Sequence, residues 1–342
     1  MKKLKPKKDN LMIKNNFLES IGNTQLIKLK MASEITGCNI YGKAEYQNPG
    51  GSVKDRAALA LIRDAEEKKL ITKGGTIVEG TAGNTGIGLC LLGNSIGYKT
   101  IIVMNDNQTQ EKKDLLRNIG ADLRLVPPKP YKDENNFVKY AGRLADELKS
   151  SNNHGVVWAN QFDNTANMMG HYETTGPEIW EQTDGKVDGF VCSSGTGGTI
   201  AGVSSFLKEK NKDIKIYLSD PTGSSLYNYL ENGELKSEGN SITEGIGSSR
   251  ITANFAKATI DGAFSISDHE SLPVLFDLIE KEGLSLGTSC GVNIAGAIRL
   301  GKLLGPGKTI VTILCDKSDK YNSKLFNKSF LQEKGLPYPH WI

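Results

Sequence analysis

Strong net charge, clustered cysteines, clustered histidines and long apolar runs are all missing from this sequence, and each absence removes a class of protein. In 342 residues, 42 Lys and Arg stand against 39 Asp and Glu, a formal charge of +3. That field is too weak to select nucleic acid or a membrane surface as a partner. Five cysteines, at 38, 90, 192, 290 and 315, lack both CxxC spacing and the density of a secreted disulfide scaffold. Reduced thiols in a cytoplasmic protein are therefore expected. His154, His171, His269 and His340 form no HExxH motif and no cluster with cysteine, so no metal site is expected. No stretch is long and apolar enough to cross a bilayer. The one local excess of charge is MKKLKPKK, read with the residues up to 15 as a solvated, disordered tail rather than a targeting peptide.

What is present is alternation. The runs TIVEG (76–80), TIIVMN (100–105), GVVWAN (155–160), GFVCSS (189–194), IKIYLSD (214–220) and TIVTILCD (309–316) are β-branched and bounded by Gly, Asn or Asp. They read as buried parallel strands. Helical patterns lie between and around them, near 53–69, 85–97, 108–119, 134–150, 169–183, 199–210, 268–282 and 291–304. Strand and helix in turn predict an α/β protein built of crossover units. PPKPYKDENN (127–136) reads as a long surface loop.

Three glycine-rich turns follow strands and open helices, where an open α/β sheet places its ligand: EGTAGNTG (79–86), SSGTGGT (193–199) and LGTSCG (286–291). In the second, glycines let the backbone approach a ligand, and free amides at the helix start with two threonine hydroxyls suit a dianionic phosphate. It is neither a Walker A loop nor GxGxxG, which excludes a dinucleotide-binding dehydrogenase. In NPGGSVKDR (48–56), Ser52 is a candidate N-cap and Lys54 falls in the first turn of a helix through Ala57, Ala58, Leu61, Ile62 and Ala65. The positive end of the helix dipole disfavours an ammonium there, which suits a nucleophilic amine. A plain surface lysine at a helix start is by itself the commoner case in a chain with this many lysines, and composition does not decide between the two.

These motifs occur in order with others: IGNTQL (21–26), NQFDN (160–164), TTGPEIW (174–180), EGIG (244–247) and GTSCG (287–291). With them the chain resembles the fold type II pyridoxal-phosphate enzymes, and within these the cysteine synthases (O-acetylserine sulfhydrylases), over nearly its whole length. The resemblance implies two open, twisted, mostly parallel sheets wrapped by helices, as in the tryptophan synthase β fold. Residues 16–48 and 165–330 would form the larger, cofactor-binding domain and 49–164 a smaller mobile one, with a C-terminal tail over 331–342. It implies that Lys54 carries pyridoxal 5'-phosphate as a Schiff base, that Gly195, Thr196, Gly197, Gly198 and Thr199 hold the phosphate, and that Asn84 bonds the phenolic oxygen. Ser289 would meet the pyridine nitrogen; a neutral hydroxyl there moderates the electron sink. Thr81, Ala82, Gly83, Asn84 and Thr85 would take the substrate carboxylate, with Gln161 closing on it and Gly245 alongside. The implied reaction is a ping-pong β-replacement, in which O-acetylserine loses acetate to leave an aminoacrylate and sulfide adds to give cysteine. A homodimer is implied, as is capture of the C-terminal tail of serine acetyltransferase.

Two departures stand out. Relatives usually carry serine where Ala82 stands, and where many read SGERY this chain has Lys317-Ser318-Asp319-Lys320-Tyr321. The rival readings are other reactions of the same fold (cystathionine β-synthase, cyanoalanine synthase, serine or threonine dehydratase) and a non-catalytic homologue that only binds serine acetyltransferase. Cys192 and Cys290 are expected as small buried apolar residues, and His171 as a structural hydrogen-bonding residue rather than a base.

Overall fold

A computed structural model describes residues 13–81 and 83–342. Residues 1–12 of the expected tail, and Ala82, lie outside the described residues. Ten strands are described: β1 Leu26–Lys28, β2 Asn39–Ala44, β3 Thr76–Gly80, β4 Lys99–Asn105, β5 Asp122–Val126, β6 Val156–Trp158, β7 Gly189–Cys192, β8 Lys215–Pro221, β9 Gly262–Ile266 and β10 Thr309–Leu314. They form a six-stranded sheet in the order β1-β2-β10-β7-β8-β9 and a four-stranded sheet in the order β5-β4-β3-β6. Every pairing is parallel except β1 with β2. All six expected strands are central or next to central, apart from β6, and β3, β7 and most of β10 are fully buried. Continuous apolar runs are what two covered faces require.

The four strands not read from sequence include three at sheet edges. In β5, Asp122 and Arg124 pair with each other and none of the five residues is buried. Charges of this kind belong to an edge, where they discourage pairing with another chain. β2 is interior, but Gly42 and Lys43 interrupt its apolar run: a Cβ at Gly42 would stand 2.6 Å from the Leu314 side chain on β10, and Lys43 turns into a buried ion cluster described below.

Helices fall close to expectation, at Lys54–Glu67, Asn84–Ile96, Gln110–Asn118, Phe137–Leu148, Gly198–Lys210, Asp268–Glu282 and Thr288–Leu304. The helix expected over 169–183 is composite: Ala166–Gly170, a π-helical turn at His171–Thr175, then Gly176–Gln182. Pro177 has no N–H to give back to the preceding turn, and the wider turn before it accommodates that loss. Thr288–Leu304 is buried along most of its length beside the large sheet; Ile294, Ala297 and Leu300 are fully enclosed with Ile310 and Leu314. The 127–136 stretch has no regular structure, and Tyr131 on it lies under Arg250, 4.2 Å from guanidinium carbon to ring centre.

The two sheets meet at the start of the helix Lys54–Glu67. Val53 N–H donates to the Cys315 carbonyl at 3.0 Å, and Ser52 bridges Asp316. Thus the carboxyl end of β10 docks the helix that carries Lys54. Ser52 is not the N-cap: that position is Val53, and the Ser52 hydroxyl instead accepts the Lys54 N–H at 3.2 Å.

Candidate active site

The residues after Lys54 explain why its helix start is held so firmly. Asp55 is buried and accepts the Gly50 N–H at 2.6 Å, closing the NPGG turn on itself. Burial pushes its carboxyl up to about 7, against the opposing Gly50 bond and the Lys320 charge. Arg56 forks onto Glu45 at 2.7 and 2.8 Å and onto Glu178 at 2.7 and 2.8 Å. Lys43 completes the cluster on Glu178 at 2.6 Å. Two cations thus face two carboxylates with almost no solvent. Burial alone would raise Glu178, but Arg56 and Lys43 overcome it and hold this carboxyl down at about 2. Removing one member would strand a buried charge, a loss of about 3–5 kcal/mol.

Lys54 reaches a pocket whose wall includes Gly195, Thr196, Gly197, Thr199 and Cys315. Lysine and glycine turn, 141 or more positions apart in sequence, therefore share one cavity. The turn needs its glycines. Gly197 has φ +86°, a region that side chains avoid, and a Cβ there would come within 2.5 Å of the Phe255 backbone nitrogen. A Cβ at Gly198 would collide with Asn167. Side chains brace the turn from behind: Asn167 donates to the Thr196 hydroxyl at 3.0 Å, Thr252 donates to the Thr196 carbonyl at 2.7 Å, and His171 Nε2 lies 3.2 Å from the Thr199 hydroxyl. Burial, with the nearby Arg56 charge, pushes His171 down to about 3, so the ring is neutral and serves as a hydrogen-bonding support, as expected. The Ser194 hydroxyl, on the pocket wall, is buried without a partner. An unpaired buried donor beside helix-start amides and threonine hydroxyls is the chemistry a dianionic phosphate satisfies. With Lys54 lining the same pocket, the residues fit pyridoxal phosphate.

The other expected residues stand around that pocket rather than in its wall. Ser289 is buried in the first turn of Thr288–Leu304 and neighbours Cys315. Asn84 opens the helix Asn84–Ile96, with Nδ2 donating to Asp316 Oδ2 at 2.7 Å and Oδ1 accepting from Lys320 at 2.7 Å. Thr81 is buried and its hydroxyl accepts the Gly83 N–H at 3.3 Å. Thr85 donates to Gln161 Oε1 at 2.6 Å, and Gln161 Nε2 donates to Glu79 Oε1 at 3.1 Å. Space is open where a Gly83 side chain would be, and the Gly245 carbonyl abuts Gly195. Ala82 lies outside the described residues. Cys192 and Cys290 are fully enclosed, and burial raises both thiols well above their ordinary range.

Sequence reasoning missed Asp316, Tyr321, Glu79 and Asn167. Asp316 and Glu79 carried a readable signal: an acid at the carboxyl end of an apolar strand, where such a sheet keeps its ligand groups. Asn167 carried none.

Residues 17–316 match the family described as pyridoxal-phosphate dependent enzyme. The chain is 50% identical to cysteine synthase 1 of Emericella nidulans, covering 94% of this chain and 87% of that protein. It is 46% identical to the cysteine synthase of Dictyostelium discoideum, covering 95% and 87%. It superposes on the crystal structure of O-acetylserine dependent cystathionine beta-synthase from Helicobacter pylori with a TM-score of 0.79 at 34% identity, over 92% of this chain and 99% of that one. A glycine cup facing a lysine across one pocket, in a chain matched to the family from end to end of its two sheets, leaves one conclusion: it belongs to the pyridoxal-phosphate dependent enzymes.

Proposed function

We propose that this chain acts as a cysteine synthase, making L-cysteine from O-acetyl-L-serine and sulfide by β-replacement, with pyridoxal 5'-phosphate held on Lys54. The observation that carries the reading is the single pocket shared by Lys54 and the Gly195–Thr199 turn; the names of the relatives select the substrates.

In this reading the amides and hydroxyls of residues 195–199 bind the phosphate. Asn84 would donate to the ring oxygen, and the neutral Ser289 hydroxyl would meet the ring nitrogen without forcing its protonation. The cofactor supplies the electron sink. With that sink in place, Lys54 would take the proton from the substrate α-carbon and hand it back once sulfide has replaced acetate at the β-carbon. Thr81, Ala82, Gly83, Asn84 and Thr85 receive the substrate carboxylate, Gln161 closes on it, and Gly245 borders the pocket. The 49–164 lobe closes on the remainder to keep water from the reacting carbon. The enzyme works in the cytoplasm as a homodimer, and its cleft accepts the C-terminal tail of serine acetyltransferase.

Incubation with O-acetylserine, with and without sulfide, tests the reaction. Cysteine formed only when sulfide is present is expected; pyruvate formed regardless of sulfide replaces synthesis by elimination. Borohydride reduction and peptide mass mapping test the anchor, and an unmodified Lys54 would overturn it. Light scattering checks the dimer, and titration with a serine acetyltransferase C-terminal peptide checks the partner.

A further inference from the structure

The altered segment Lys317–Tyr321 follows β10 of the six-stranded sheet, while Asn84 follows β3 of the four-stranded one. They meet across the cleft, 232 and 236 positions apart in sequence. An asparagine amide has a donor end and an acceptor end of nearly the same shape, so only its partners decide which way round it sits. Here the partners are of opposite kinds. A carboxylate, Asp316 Oδ2, receives one Nδ2 hydrogen at 2.7 Å, and an ammonium, Lys320 Nζ, donates to Oδ1 at 2.7 Å. Turning the amide over would set NH₂ against ammonium and carbonyl against carboxylate, losing two charge-assisted bonds and creating two repulsions.

Both partners are themselves fixed. Asp316 is 1% exposed, and its Oδ2 also accepts the Tyr321 hydroxyl at 2.6 Å. Its Oδ1 is wedged where any side chain on Gly287 would collide. Lys320 is partly buried, and its Nζ lies 3.7 Å from where a Cβ on Gly51 would stand, in the NPGGSVKDR turn. Burial raises the Asp316 carboxyl, opposed by the bonds from Tyr321 and Asn84 and by the Lys320 and Lys54 charges; the other titratable groups facing the pair are Asp55, on which Lys320 acts, and the Cys290 and Cys315 thiols.

We propose that Asp316 and Lys320 are positioning residues that lock the Asn84 amide with its second Nδ2 hydrogen free for the cofactor's phenolic oxygen, a role that rests on the cofactor placement argued above. One Nδ2 hydrogen is spent on Asp316, and the other remains for that oxygen. A donor to the oxygen stabilises its anion and lowers its proton affinity. Lys320 therefore tunes the bound cofactor through Asn84 without touching it.

The test is a pH titration of the visible absorbance of purified holoenzyme, with cofactor content and thermal midpoint recorded alongside. In Lys320→Met only the Asp316 bond is left to orient the amide, the turned-over form gains population, and the midpoint of the titration is expected to rise by up to about one pH unit. Lys320→Arg, which keeps a charged donor, is expected to restore the wild-type midpoint. An unmoved midpoint in Lys320→Met, or an Arg variant displaced as far as Met, overturns the proposal. Should Lys320→Met purify without cofactor, Lys320→Ala, which also removes the donor, is measured in its place with the same two outcomes. Absence of cofactor absorbance from the wild-type protein would instead overturn the function proposed above, and that is read before any variant.

Discussion

At the Gly195–Thr199 turn the supporting side chains stand behind the backbone, whereas at the Thr81–Thr85 loop the polar side chains are already engaged, Asn84 with Asp316 and Lys320 and Thr85 with Gln161. Asn167, Thr252 and His171 brace the turn from outside the pocket, and within it the Gly198 N–H makes a long 3.3 Å bond to the Thr196 hydroxyl, so little has to be given up to receive a phosphate. Thr85, by contrast, gives its hydroxyl hydrogen to Gln161, and Gln161 gives one of its own to buried Glu79. A carboxylate entering this loop has to take over the Thr85 bond. In the function proposed above, the cofactor end would then bind with little reordering cost, while the substrate end would exchange one hydrogen bond for another and couple binding to movement.

The largest effect that sharpens this contrast comes from the turn. In Gly198→Ala the added methyl collides with Asn167, which is itself tied to Thr196 and to the Gln161 carbonyl and has nowhere to go. Overpacking of this kind costs about 2 kcal/mol, so cofactor affinity, measured by fluorescence titration of the apoprotein, is expected to fall roughly thirtyfold. The second is smaller and falls on the other side. Gln161→Leu removes the donor that the proposed function gives to the substrate carboxylate, worth about 1.5 kcal/mol, and kcat/KM for O-acetylserine is expected to drop roughly tenfold at unchanged cofactor affinity. The contrast breaks if Gln161→Leu weakens cofactor binding as much as Gly198→Ala does.

The same division marks what could be read in the sequence. The turn was legible because its glycines, its threonines and the apolar strand before it are consecutive, and close backbone approach leaves a local signature. The six strands read in advance were legible for a similar reason, since two covered faces demand unbroken apolar runs. β5, with Asp122 and Arg124, and the three-residue β1 lie at edges where that demand lapses. The orientation of Asn84 was not legible at all. Its partners Asp316 and Lys320 lie over two hundred positions away, and their distance from Asn84 depends on how two sheets dock. Lys320 drew notice as a departure from related sequences, but its role became visible only in the contact.

The smallest expected effect concerns protons and separates the two ends by sign. Glu79 lies fully buried on β3 beneath the substrate loop, with Oε2 unpartnered. Burial pushes its carboxyl up to about 8 from an ordinary 4.5, against the bonds it accepts. Between these values the folded protein holds a proton that the unfolded chain has released, so stability falls as pH rises through that window and levels off above it. His171, behind the turn, has the reverse sign: it stays neutral down to about 3 while the unfolded imidazole protonates below 6.5, so stability is lost there as pH falls. Asp55, at about 7, and Asp220, at about 6, add to the alkaline decline, which makes a variant necessary to isolate Glu79. Glu79→Gln keeps an acceptor for Gln161 and removes the titration. The urea midpoint is therefore expected to fall less steeply between about pH 5 and about pH 8 in Glu79→Gln than in the wild type, with the acid limb unchanged. An equally steep alkaline decline in the variant would mean that Glu79 is ionised in the folded protein. The Thr85–Gln161–Glu79 chain would then be anchored on a charge, and the substrate loop would be as rigidly held as the cup.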